Sequence, residues 1–262
     1  MHGYTKKEKI RLFDQANTLT GLLHGDTRYT GGSKVLEAGC GVGAQTIILA
    51  KNSPGAKITS IDVSSESLDK ARSLIKKAKL RNVEFRVADV FGLPFESNSF
   101  DHVFVCFVLE HLQDPLLALK NIKRVLKKGG TITVIEGDHE STLFYPESMY
   151  AMKTVKCLID VQKKLGGDSL IGRHLYPLLK KAGFKNTLVS PRFVYADENR
   201  PEMVKGFTKN TYIAMVKGVE KMAIKFKMIG KTAWDKGIKD LERTAKKGGV
   251  FCYTFFKATS IK

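Results

Sequence analysis

Short runs rich in Val and Ile recur along the first half of the chain, and each is followed by a stretch with helical spacing. No other feature limits the fold as much. Residues 34–38 (KVLEA), 57–62 (KITSID), 83–88 (VEFRVA), 101–107 (DHVFVCF) and 131–136 (TITVIE) read as five strands. The fourth is apolar at nearly every position, as a strand covered on both faces requires. Between them, residues 44–51, Leu68 to Ala78 and Leu116 to Leu126 carry helical spacing, and Gly129-Gly130 is expected to close the last of these. Strands separated by helices imply right-handed crossovers and a doubly wound, mainly parallel sheet, an α/β fold. Past residue 138 the rhythm changes. Residues 147–165, 175–182 and 202–247 are helical by spacing, whereas 187–195 and 250–257 suit strands. Residues 1–30, 138–172 and 200–248 therefore fall outside the alternating core. They are read as an N-terminal helical cover and two lid insertions of a single domain spanning 1–262.

Composition narrows the partners. Of 262 residues, 44 are Lys or Arg and 26 are Asp or Glu, a net charge of +18. Such a surplus favours anionic partners, nucleic acid included. Its texture points elsewhere. Lys far outnumbers Arg, and planar recognition of phosphates and bases prefers Arg. Doublets such as Lys127-Lys128 and Lys180-Lys181 sit near helix ends, where cations answer the dipole. Cys40, Cys106, Cys157 and Cys252 form no C-x-x-C pair, so neither a zinc cage nor a redox motif is expected, and no metal. No apolar run approaches the roughly 18 residues of a membrane helix. A soluble, cytoplasmic protein with no membrane partner is the expectation.

The sharpest motif is Glu37-Ala38-Gly39-Cys40-Gly41-Val42-Gly43, at a strand-to-helix junction. Glycines there let the backbone turn tightly and approach a ligand. Gly39-x-Gly41-x-x-Ala44 also satisfies the loose dinucleotide pattern, so a dinucleotide-dependent oxidoreductase is one alternative. Glu37 argues against it, because a carboxylate beside the glycines repels a pyrophosphate and suits an ammonium or sulfonium group. Asp62 ends the second strand, about 20 residues after the glycines, where a ribose diol is usually held. Asp89 ends the third, where an acceptor can receive a base amine. An acid for a positive tail, one for a ribose and one for a base amine together complement S-adenosylmethionine. Capping or turn duty at a helix start is the alternative role for Asp62 and Asp89, and the occurrence of the three acids in order favours the ligand role.

On these residues the chain resembles the class I S-adenosylmethionine-dependent methyltransferases, in particular the ubiquinone/menaquinone-type small-molecule enzymes. The matching residues are Glu37-x-Gly39-x-Gly41-x-Gly43, Ile61-Asp62, Ala88-Asp89-Val90, Leu93-Pro94-Phe95, Ser99-Phe100-Asp101-His102-Val103, Leu109-Glu110-His111-Leu112 and Leu126-Lys127-Lys128-Gly129-Gly130. They cover residues 20–140 well and 175–260 more loosely. The resemblance implies seven strands, the last antiparallel. It implies that Glu37 and the loop Gly39, Cys40, Gly41, Gly43 cradle the methionyl part, with Gln45 capping its tail. Asp62 would hold the ribose and Val63 border the adenine. Ala88, Asp89 and Val90 would bind the adenine edge, and Cys106 and Phe107 line the sulfonium.

Methyl transfer from a sulfonium is an in-line displacement in which alignment can supply roughly 7–11 kcal/mol. A base is needed only when the nucleophile arrives protonated. His111, after the fourth strand, and His139, after the fifth, are the candidate bases. Tyr4, Gln15, His24, Glu110, Asp138 and Tyr145 are the candidate acceptor contacts. Glu136 and Asp138, one residue apart, are read as turn acids rather than metal ligands. Lids sequester small ligands, so the expected acceptor is a small molecule. The charge keeps an RNA or other nucleic-acid methyltransferase as an alternative. Against it, the fourth strand exits into Cys106-Phe107-Val108-Leu109-Glu110, which differs from the Asn/Asp-Pro-Pro-Tyr of base-amine methylation, and no Pro-Cys pair of the cytosine type occurs.

Overall fold

The computed structural model describes residues 6–262, without the side chains of residues 6–10 and Phe13. Tyr4 lies outside the described residues. In chain order the main elements are α1 (Lys6–His24), β1 (Lys34–Ala38), α2 (Thr46–Asn52), β2 (Lys57–Asp62), α3 (Ser65–Lys77), β3 (Val83–Val87), β4 (Phe100–Cys106), α4 (Pro115–Val125) and β5 (Leu126–Tyr145). They continue with α5 (Met149–Lys164), α6 (Ile171–Lys181), β6 (Lys185–Ala196), α7 (Pro201–Met203), a π-helical stretch (Val204–Ile213), α8 (Ala214–Gly218), α9 (Glu220–Lys225), α10 (Lys231–Arg243) and β7 (Val250–Ile261).

The strands form one seven-stranded sheet in the order β3-β2-β1-β4-β5-β7-β6. β1 pairs in parallel with β2 and β4, β2 with β3, and β4 with β5. The bonds of β7 to β5 run the other way. Lys262 N donates to Gly130 O at 2.9 Å and Thr254 N to Ser141 Oγ at 2.9 Å, so one index falls as the other rises. The order reverses at β1, between β2 and β4, the place where such sheets open a crevice at their carboxyl ends.

The chain divides into two compact units. One comprises Thr20–Glu136, Ile171–Pro191 and Phe256–Lys262. Its core joins Leu36, Val103, Val105 and Val134 of the strands to Leu119 and Ile122 of α4 and to Leu175 and Leu179 of α6. α3 begins on Ser64, whose hydroxyl accepts from Ser67 N, and α4 on Asp114, whose carboxylate accepts from Leu117 N, with Pro115 in the first turn. The other unit comprises the residues up to Leu19, Gly137–Leu170 and Arg192–Phe255. It is built on buried aromatics, among them Phe207, Tyr212, Trp234, Phe251 and Tyr253. Gly206 approaches α1 so closely that a Cβ there would lie 2.0 Å from Thr18 Oγ1.

Two expectations are corrected. Helix α4 stops at Val125, because Leu126 is already extended (ψ 141°), and Gly129-Gly130 belongs instead to the irregular start of β5, where the pairing slips between Phe100 and His102. The fifth strand does not end at residue 136 but runs on to Tyr145, carried by Thr142, Leu143, Phe144 and Tyr145, residues that favour strands. Residues 138–145, expected to begin a lid, are therefore strand, and His139 lies within it rather than on a loop.

Candidate functional site

The glycine loop leaves β1 with Gly39, Gly41 and Gly43 all at positive φ. At Gly39 (φ 77°) the requirement is double, because a Cβ would stand 2.5 Å from Val108 Cγ2. At Gly43 it would stand 2.9 Å from Ala71 Cβ of α3. The loop is stitched to β2: the amides of Gly39 and Cys40 donate to Ile61 O at 2.8 and 2.9 Å. Asp62 holds it from the end of β2. Its Oδ2 accepts from Gly41 N at 2.8 Å and its Oδ1 from Ser64 N at 2.9 Å. Ala88 N donates to Asp62 O at 3.2 Å, which ties the third strand end to the second.

Glu37 does not offer its carboxylate at the surface. It is buried, and its Oε2 accepts from Ser60 Oγ at 2.6 Å. Burial pushes its pKa up to about 7, against the hydrogen bond from Ser60. Gln45 precedes α2 without capping it, and its buried Oε1 has no partner among the described residues. Val63, directly after Asp62, is an apolar side chain 67% exposed. Asp89 is exposed and turns its Oδ1 back to Phe91 N at 2.9 Å. Val90 packs its side chain into the core. Asn121 of α4 orders this stretch by donating to the carbonyls of Val90 and Phe91.

At the exit of β4, Cys106 is buried and Phe107 adopts φ 58°, with its amide on Ile135 O at 2.9 Å. The next amides, Val108 N and Leu109 N, donate to Glu136 Oε1 at 3.0 and 2.7 Å. The short 3-10 turn Leu109–His111 follows. There Glu110 is mostly buried and His111 largely exposed, with Nε2 3.6 Å from Glu110 Oε1. His24 is buried against Phe104 at 5.8 Å between ring centroids. Burial drives its pKa down to about 4, so it is a neutral ring. Among the described residues no group of three or more His, Cys, Asp and Glu could hold a metal ion.

The loop, strand-end acids and β4 exit thus lie together in one unit, as does the His111 turn. Four residues considered for catalysis or for the acceptor belong to the other unit. Gln15 is buried and accepts from Arg11 Nη1 at 3.0 Å. Asp138 is buried and accepts from Glu140 N at 3.1 Å. His139 is buried, its Nδ1 2.7 Å from Tyr253 Oη, and Tyr145 is exposed. Sequence reading had no signal for Val108 against Gly39 or for Asn121, since both act through contacts between distant segments.

A doubly wound sheet with a glycine loop after β1, and with its order reversing there, defines an α/β protein with a Rossmann-like crevice at its carboxyl edge. Residues 30–183 match the family described as "Methyltransferase domain". The chain belongs to this family, and its likeness to the class I S-adenosylmethionine-dependent methyltransferases holds. It is 39% identical over 120 residues to an uncharacterised methyltransferase of Schizosaccharomyces pombe, covering 44% of this chain and 43% of that one. It is 36% identical over 150 residues to the demethylmenaquinone methyltransferase of Staphylococcus aureus, covering 57% and 61%. The matches span about half the length of these curated relatives. The fold is shared with the YcgJ protein of Bacillus subtilis (TM-score 0.59, 17% identity, 94% of this chain and 98% of that chain). It is shared also with a Haemonchus contortus phosphoethanolamine N-methyltransferase solved with S-adenosyl-L-methionine (0.60, 18%, 100% and 58%). The [4+2]-cyclase SpnF has it too (0.55, 19%, 95% and 81%), so this fold alone does not fix a reaction.

Proposed function

We propose that the protein transfers the methyl group of S-adenosylmethionine to a small-molecule acceptor. The observation that carries this is the arrangement of Asp62, which holds the Gly41 amide at 2.8 Å while ending the strand beside the glycine loop. A carboxylate fixed there by backbone donors keeps lone pairs for a diol. The rest of the edge fits the same molecule. Gly39 and Gly43 leave no room for a Cβ, Val63 offers an exposed apolar face to a base, and Gln45 keeps a buried oxygen unanswered. The naming of relatives as methyltransferases, one of them acting on demethylmenaquinone, supports the reading.

When bound, the donor supplies an electrophilic methyl on a sulfonium. The chain's residues supply position. Gly39 and Gly41 bring the backbone close, Asp62 fixes the ribose end and Asp89 offers an acceptor to the base amine. Glu37 acts from behind the loop, holding β1 to Ser60 of β2. Cys106 and Phe107 border the reacting end, where the left-handed Phe107 turns the chain away from the sheet. For an acceptor that arrives protonated, His111 on the turn after β4 is the base we favour.

The test is turnover of methyl-labelled S-adenosylmethionine against a fractionated metabolite extract, with the labelled product identified by mass. Label transfer to a small molecule supports the proposal. Label found in RNA would move the acceptor to the nucleic-acid class, and its gel retardation should then be lost with salt.

A further inference from the structure

Glu136 is a buried acid that the reading above leaves without a chemical task. It lies inside the buried run of β5, one residue past Ile135, the register partner of Cys106. No part of it is exposed. One oxygen, Oε1, accepts the amides of Val108 and Leu109. The other, Oε2, is buried with no hydrogen-bond partner among the described residues. Burial and, next, the neighbouring Glu110 carboxyl push Glu136 well above the usual carboxylate range. The fields of Glu136, Glu37 and Glu110 all reach the Cys106 thiol, with Lys257 opposing them. The exit of β4 is therefore a buried spot under acids from β1, β5 and the 3-10 turn. A desolvated carboxyl with one unanswered oxygen either keeps a proton or meets a cation.

We propose that Glu136 is the residue by which the donor site distinguishes the cationic sulfonium donor from its neutral thioether product. The inference rests on the donor site proposed above. In the transfer the S–CH3 bond breaks, its electron pair stays on sulfur, and the acceptor's lone pair forms the new bond to carbon. Sulfur thus loses one positive charge, and nothing else on the nucleoside changes. An ionised Glu136 attracts the donor but not the product. Screened by an effective dielectric of about 20, an attraction of this kind amounts to a preference on the order of tenfold. The product leaves more readily for the same reason. The sign with pH follows. A cation beside Glu136 favours its ionised form, so donor binding releases a proton and strengthens as pH rises, while product binding lacks this link through Glu136. The groups around Glu136 in this balance are the Glu110 carboxyl and amide, the Val108 and Leu109 amides and the Cys106 thiol, and Glu37, raised to about 7, acts on the same thiol from β1.

The experiment is calorimetric titration of the full chain with S-adenosylmethionine and, separately, S-adenosylhomocysteine, at pH 6 and pH 8. It uses the wild type and Glu136→Gln, which keeps an oxygen for the two amides. The wild type should bind the donor several-fold more tightly at pH 8, with the product unchanged. Glu136→Gln should weaken donor binding about tenfold, leave product binding unchanged and remove the difference in pH dependence between donor and product. Equal weakening of both ligands, or of neither, overturns the proposal. If the variant does not fold, the wild type decides alone: the same pH dependence for both ligands overturns it. Binding of neither ligand by the wild type would instead overturn the donor-site reading beneath it.

Discussion

Replacing Gly39 by Ala perturbs the centre of the loop with least change in chemistry, and the structure gives its size. Two costs add. At φ 77° an alanine occupies the left-handed region, at about 1–2 kcal/mol. Its Cβ would also stand 2.5 Å from Val108 Cγ2 and 3.0 Å from Cγ1, closer than carbon atoms tolerate. Overpacking of this kind costs about 1–3 kcal/mol. The sum, about 2–5 kcal/mol, falls on a loop that can relieve it by giving up its bound shape. S-adenosylhomocysteine binding should then weaken by about tenfold or more, with a smaller fall in melting temperature. Calorimetry of Gly39→Ala, Val108→Ala and the double variant separates the two costs. Val108→Ala in the Gly39→Ala background removes the clash and should recover about half of the loss, a coupling expected of residues in contact. Unchanged affinity in Gly39→Ala, or no recovery in the double variant, would refute this account of the loop.

Other outcomes follow from the same geometry. Asp62→Ala leaves the Gly41 and Ser64 amides without their acceptor and should weaken cofactor binding by about 1–3 kcal/mol, read by the same titration; full affinity would remove Asp62 from the site. Glu37 has a folded pKa of about 7 against 4.5 unfolded, so its contribution to stability is complete below pH 4.5 and is lost as pH rises through 7. The loss is about 3 kcal/mol, and Glu37→Gln should remove that share of the slope in urea midpoints between pH 5 and 8. His24 has the opposite sign: with its pKa lowered to about 4, its share is present above pH 6.5 and disappears as pH falls through 4, a component that His24→Phe should erase from acid unfolding curves. His111→Ala should slow turnover with product affinity unchanged, and full turnover would dismiss it as a base.

Much of the fold was legible because its signals are local. Five strands and the helices between them follow from periodicity, and the glycine loop with Asp62 and Asp89 from spacing along the chain. What escaped depends on contacts across the fold. Glu37 looks in sequence like an open carboxylate, and only the folded sheet shows Ser60 taking it. Gly129-Gly130 looks like a helix stop, yet Leu126 is already extended and the pair lies at the strand's irregular start. His139 looks like a loop residue until β5 is seen to run to Tyr145 with Tyr253 against it. Val108 carries no motif, although its methyl groups explain why Gly39 admits no side chain.

Equilibrium titration with S-adenosylhomocysteine beside NADH puts the whole interpretation at risk in one measurement. The thioether nucleoside should bind with micromolar affinity that Asp62→Ala weakens, and the dinucleotide should not bind. Tight NADH binding, with no heat from S-adenosylhomocysteine at millimolar concentration, would contradict it.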